Sequence, residues 1–219
     1  MSDKLSIAIA QINPTVGDVR GNVARILAAR EQASDADLVM VPELALSGYP
    51  PEDLVLKDAF LDVVEEGIAT LAAATNDGGA ALIVGAPWRV EGGRYNAALL
   101  LDGGRIVATV LKHHLPNYGV FDEARVFVCG PLPEPVTFRG FRLGLMICED
   151  MWYPDVAAAL RQAGAEILIV PNGSPFEQDK PNARRDHARG RVSETGLPLI
   201  YLNQICGQDE LVFDGASFV

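Results

Sequence analysis

Short apolar runs punctuate this chain: Leu5 to Ile12 alternates in the manner of a strand yet is almost continuously apolar, and Leu38 to Val41, Ala81 to Gly85 and Leu143 to Ile147 follow it. A strand that is apolar on both faces has to be covered on both faces. Between the first runs the spacing turns helical. Asp18 to Ala36 puts Val23, Ile26, Leu27 and Ala28 on one stripe. Leu54 to Thr75 reads as mostly helical, after a loop rich in Gly and Pro from Ser47 to Pro51. This βαβαβ order predicts a parallel or mixed sheet with helices packed on it.

The rhythm then changes. Tyr95 to Leu101 and Arg105 to Leu111 flank Asp102-Gly103-Gly104, whose turn chemistry tolerates positive φ and predicts a hairpin. A second hairpin is expected from Pro135 to Phe138, through Arg139-Gly140, into Phe141 to Ile147. Pro154 to Ala163 reads as a helix ended by Gly164, Ile167 to Val170 as a strand, Asn182 to Thr195 as a helix and Leu199 to Asn203 as a strand. From Leu211 onward a hairpin is expected to open and to be cut inside its second arm, so the chain reads as one domain, 1–219, truncated at its C-terminus.

Composition narrows the function classes. A chain of 219 residues, 49% apolar and 21% charged, suits one packed domain. The formal net charge of -11 repels phosphate backbones and anionic lipid, which predicts neither a nucleic-acid nor a membrane partner. Three cysteines form no disulfide framework and no zinc-type CxxC pair. Met1 to Lys4 lacks the pattern of a secretory signal, and no apolar run reaches the ~18 residues of a membrane span. A reducing cytoplasm is the expected setting.

Three residues share one context, because each stands where an apolar strand runs out into a loop. Glu43 follows Leu38 to Pro42, Lys112 follows Ile106 to Leu111, and Cys148 follows Leu143 to Ile147. Strand ends facing one way build the crevice in which α/β proteins bind ligands. A carboxylate to take a thiol proton, a thiolate to attack an amide carbon and an ammonium to hold the oxyanion would complete an acyl-transfer site. Taken singly, each has a plainer reading: a small buried hydrophobe for Cys148, a solvated loop acid for Glu43 and a solubilising charge for Lys112. The run Cys148-Glu149-Asp150 shifts the balance. Two acids beside a thiol raise its pKa and call for a cation such as Lys112. His113 and His114, adjacent on an extended segment, should point to opposite faces and cannot share an ion without a bend. His187 lies in a charged helical stretch and reads as solvated. No metal is therefore expected, and no phosphate-binding glycine loop is visible.

Together the motifs resemble the nitrilase, or carbon–nitrogen hydrolase, superfamily. They are Val41-Pro42-Glu43-Leu44, Lys112-His113-His114-Leu115-Pro116 and Ile147-Cys148-Glu149-Asp150, in that family's order along essentially the whole chain. Glu43 to Leu54, Leu115 to Glu123, Cys148 to Trp152, Asn172 to Phe176 and Gly207 to Ser217 are similar, more narrowly, to the glutaminase domains of glutamine-dependent NAD⁺ synthetases.

The resemblance implies an αββα sandwich of two mixed sheets face to face with helices outside. It implies Cys148 as nucleophile on the side-chain amide of L-glutamine, Glu43 as base, and Lys112 with the Glu149 backbone N–H at the oxyanion. Glu123 would orient Lys112, while Tyr118, Glu149 and Ser174 would read the amino-acid head group, with Glu149 matched to its ammonium. It further implies no cofactor in this domain, with ATP and Mg²⁺ confined to a C-terminal synthetase domain that this chain lacks, and assembly into homo-oligomers. Two other readings stay open: an amidase or carbamoylase for a different small amide, and a catalytically silent assembly module.

Overall fold

The computed structural model describes residues 4–219. Met1, Ser2 and Asp3, part of the stretch read for a targeting signal, lie outside them. One sheet has the strand order β1-β2-β3-β4-β5: β1 (Ile7–Ile9), β2 (Leu38–Met40) and β3 (Ala81–Val90) run parallel, and β4 (Gly93–Asp102) and β5 (Arg105–Leu111) continue it antiparallel. The crossovers are α1 (Val19–Gln32), whose N-cap Asp18 accepts from the Gly21 N–H, and α2 (Asp58–Ala74). A second sheet, β6-β7-β8-β9, is made by β6 (Val136–Phe138), β7 (Phe141–Leu145), β8 (Ile167–Asn172) and β9 (Leu199–Asn203). Its first pair is antiparallel and the rest are parallel. A one-turn helix α3 (Glu123–Val126) precedes it, and α4 (Pro154–Gln162) and α5 (Lys180–Thr195) are its crossovers.

Side-chain alternation sorts these elements into four layers. Val39, Leu82, Val84, Leu99 and Leu101 pack with Ile26, Val64, Ile68 and Leu71 of α1 and α2. Their neighbours Leu38, Met40, Ile83 and Leu100 face the other way and meet Leu143, Leu145, Ile169, Ile200 and Leu202. Leu168, Val170, Leu199 and Tyr201 complete the sequence outward, against Val156, Leu160 and Ala188. Helix, sheet, sheet, helix is the order expected of an αββα sandwich. Each fully buried Leu or Ile in it contributes roughly 1.5–3 kcal/mol of transfer free energy, so the strands' two-faced apolarity is what forces the layering.

Three local expectations change. The run Leu5 to Ile12, read as a strand buried on both faces, yields only Ile7–Ile9, which lies at the sheet edge, paired to β2 alone, and leaves Ile9 exposed. The strand expected to end at Gly85 runs on to Val90 and turns at Glu91-Gly92, both at positive φ, so β3 and β4 form a long hairpin of their own. Pro87 sits within this strand opposite Asn96, a residue type that ordinarily argues against continuation. The hairpin expected to open at Leu211 closes there instead. Its first arm is β10 (Ile205–Gln208) and its second is β11 (Leu211–Asp214), while Phe218 bridges antiparallel to Tyr201 beside β9. The Asp102 turn behaves as read: Gly103 and Gly104 lie at φ 57° and 82° between paired Asp102 and Arg105.

Candidate active site

The ends of β2, β5, β7 and β8 converge on one buried cluster of charge. Glu43, expected on a plain reading to be solvated, is fully buried, and so is Lys112. Lys112 Nζ donates to Glu43 Oε1 at 2.6 Å and to the two Glu123 oxygens at 2.9 Å each. A buried ammonium needs such partners. Burial alone would lower its pKa, but the Glu123 and Glu43 carboxylates outweigh that and hold it well above the ordinary lysine value. The backbone fixes its origin: Lys112 N–H donates to Asn96 O at 2.8 Å, and Lys112 O accepts from Gly130 N–H at 2.7 Å.

Glu43 spans the two sheets. Its Oε1 also accepts from Asn96 Nδ2 at 2.8 Å, and its Oε2 accepts from the Gly173 N–H, at the end of β8, at 2.8 Å. A carboxylate offers about four lone-pair sites. Three are taken, and the free one lies on Oε2. Close approach of backbones makes this possible, since a Cβ on Gly85 would stand 2.4 Å from Leu44 N and 2.6 Å from Pro42 O. Glu123 is held by Tyr49 Oη at 3.0 Å and by Asn96 Nδ2 at 3.2 Å. Burial pushes its pKa up to about 7, against the pull of Lys112 and with repulsion from Glu43.

Cys148 follows β7 at the first position of a 3₁₀ turn, Cys148–Trp152, with φ 48°. A non-glycine residue in this left-handed region is strained by about 1 kcal/mol or more; Leu44, next to Glu43, is held at φ 48° as well. Burial raises the thiol's pKa well above its ordinary value; Glu43 and Glu149 add to the rise and Lys112 opposes it. The resting group is therefore a thiol beside a base, not a free thiolate. Asp150 turns away from the sulfur. Its Oδ2 accepts from Ile147 N–H at 2.9 Å, and its Oδ1 from His113 and His114 N–H at 3.1 and 2.7 Å. One fully buried carboxylate thus ties the Cys148 turn to the segment after Lys112. Burial lifts its pKa to about 6.

The residues expected to read a head group divide into two sets. Tyr118 Oη donates to both Glu149 oxygens at 3.0 Å, and desolvation raises the Glu149 pKa. Ser174, beside Gly173, is buried, its Oγ accepting from Arg184 Nε at 3.1 Å and its N–H donating to Asn203 Oδ1 at 2.9 Å. Arg184, itself buried, anchors that loop to Asp214 in β11 at 2.7 Å. Sequence reading missed Tyr49, Asn96, Gly173 and Arg184. Tyr49 and Gly173 lay inside stretches that carried the family resemblance without a role of their own, and for Asn96 the signal was a lone Asn at the start of the apolar run of β4. His187 rests against the Trp152 ring at 4.2 Å. The expectation that His113 and His114 diverge is corrected: a bend at His113 brings their ring centroids to 4.7 Å.

Known proteins give this geometry its family. The carbon-nitrogen hydrolase family model matches residues 6–219. The glutamine-dependent NAD(+) synthetase of Rhodobacter capsulatus is 51% identical over 221 residues, covering 100% of this chain and 40% of that protein. That of Xanthomonas campestris is 47% identical over 98% of this chain and 40% of its own length. The chain therefore spans about two fifths of the length of these relatives. Among solved structures, the glutamine-dependent NAD+ synthetase of Acinetobacter baumannii superposes with a TM-score of 0.92 at 35% identity, covering 98% of this chain and 41% of that one. An amidase from Nesterenkonia sp., with an active-site cysteine, gives 0.83 at 28% identity over 98% of this chain and 84% of its own. The match along nearly the whole chain, together with the αββα layers and the buried Glu43, Lys112 and Cys148, is decisive: this protein belongs to the carbon–nitrogen hydrolase family.

Proposed function

We propose that this chain is a glutaminase domain that hydrolyses the side-chain amide of L-glutamine through a Cys148 thioester, releasing ammonia. The observation that carries the reading is the single free lone-pair site on Glu43, within the buried Glu43–Lys112–Glu123 cluster at the strand ends where the buried Cys148 also lies. Glu43 Oε2 takes the thiol proton as sulfur attacks the amide carbon, and the C–O π electrons move onto oxygen. Protonation neutralises Glu43 as the oxyanion appears, so Lys112 loosens its bond to Glu43 and turns an N–H to the new charge. The Glu149 backbone N–H is the second donor. Glu43 then gives its proton to the leaving nitrogen, the C–N bond breaks and ammonia departs. Water, deprotonated by Glu43, attacks the thioester; the C–S bond breaks, and glutamate leaves with the thiol restored.

Glu149, steadied by Tyr118, is the anionic partner for the substrate ammonium, and Ser174 is the candidate contact for its carboxylate. In a longer protein the ammonia would serve a C-terminal synthetase domain that uses ATP and Mg²⁺ to amidate nicotinic acid adenine dinucleotide, with no cofactor required here. A cytoplasmic homo-oligomer is the setting we assign. The likeness to the Nesterenkonia amidase favours, as a second reading, a different small amide. Ammonia release from L-glutamine, asparagine and a simple aliphatic amide, with and without Cys148→Ala, separates these. Release from glutamine alone, lost in the variant, supports the glutaminase. Equal turnover of the simple amide selects the second reading, and inert Cys148 towards alkylating agents would select a silent module.

A further inference from the structure

Among the described residues outside the catalytic cluster, one group of ligating side chains takes no part in the amide chemistry. His113, His114 and Asp155 each place a ligand atom within 4.8 Å of the others, on the surface. The geometry points to a divalent transition-metal site of the zinc class formed by His113, His114 and Asp155. Imidazole and carboxylate together suit Zn²⁺ and its neighbours rather than Mg²⁺ or Ca²⁺.

Three independent features carry this assignment. The first is spacing. Ligand bonds of about 2.0–2.2 Å at tetrahedral angles separate ligand atoms by roughly 3.4 Å. Asp155 Oδ2 lies 3.0 Å from His114 Nε2 and 4.0 Å from His113 Nε2, so the two edges that meet at this oxygen bracket that value.

The second is tautomer. His113 Nδ1 stands 2.7 Å from the Gly130 carbonyl, which can only accept. The proton therefore sits on Nδ1, and the Nε2 lone pair faces Asp155. A ligating histidine is commonly oriented in this way, with its other nitrogen donating to a carbonyl. His114 is steadied by stacking on Tyr153, at a centroid distance of 4.2 Å and an interplanar angle of 27°. Its Nε2 proton, donated to Asp155 without an ion, moves to Nδ1 when Nε2 ligates.

The third is the backbone. Adjacent residues of an extended segment diverge, and these converge only because Asp150 gathers both of their N–H groups on one oxygen. A net charge of -11 also favours cation capture. Three protein ligands leave the fourth position to solvent. Such an ion would join the segment after Lys112 to the first turn of α4, which follows the Cys148 turn, and so brace two catalytic segments from outside.

The test is calorimetric titration of the whole chain with Zn²⁺ alone, in parallel with Cys148→Ala to remove the active-site thiol as a competing ligand. One ion per chain is expected in both proteins. Affinity should fall roughly tenfold or more in His113→Ala and in Asp155→Asn, the second of which preserves shape should the first fold poorly. Zn²⁺ should also raise the melting temperature of Cys148→Ala but not of Cys148→Ala/Asp155→Asn. Undiminished binding in both ligand variants would overturn the site, as would no binding at millimolar Zn²⁺ or binding lost with Cys148 alone.

Discussion

Glu123 shows how one buried side chain sets two pH dependences. Burial raises its pKa from 4.5 to about 7, so the folded state holds this proton more tightly than the unfolded chain does. The stability it contributes is full below pH 4.5 and is lost as pH rises through about 7. Thermal melts across that window should therefore fall more steeply in the wild type than in Glu123→Gln; parallel curves would show that another group sets the slope. Catalysis should run the opposite way. Ionised Glu123 holds Lys112 charged and aimed, so kcat/KM for glutamine should rise through about pH 7. In Glu123→Gln that limb should be missing, a change in profile that simple destabilisation cannot produce.

At the scale of elements, the site depends on how closely strand ends approach. Gly85→Ala puts a methyl 2.4 Å from the Leu44 nitrogen. Overpacking of this kind costs about 1–3 kcal/mol, and here it pushes the Glu43 segment away from Asn96 and Gly173. The expected result is a lower denaturation midpoint together with a loss in kcat larger than any change in KM. Asp150 couples β5 to β7 in a different manner. Asp150→Asn cannot accept all three backbone N–H groups, and hydrogen bonds to a charged group contribute about 1.5–3 kcal/mol each. Denaturant unfolding should show a loss of about 2 kcal/mol or more, with turnover reduced. An unchanged midpoint would mean that the Cys148 turn holds without its anchor.

Over the whole molecule, the two sheets must stay in register for Glu43, from one, to accept the Gly173 N–H of the other. Their shared core carries that register. Leu100→Ala, in its middle and fully buried, should cost about 2–5 kcal/mol by urea unfolding while removing no member of the Glu43–Lys112–Glu123 cluster. Much of this architecture was legible in the chain. The apolar runs predicted the buried strands β2, β3 and β7, though not the short and partly exposed edge strand β1; the spacing of Val23 and Ile26 predicted α1, and Gly103-Gly104 predicted a turn with two positive φ angles. Glu43, Lys112 and Cys148 were readable because each ends such a run. These are local signals, written within a few residues at a period of two or 3.6. Tertiary structure alone decided the rest: the long β3–β4 hairpin, Asn96 between two carboxylates, Asp150 as an anchor and not a neighbour of the thiol, and His113 turned towards His114. The physical reason is distance along the chain. A buried charge must find partners wherever folding brings them, and Glu43 finds its partners 53 residues away in Asn96 and 130 away in Gly173, at separations no local pattern records.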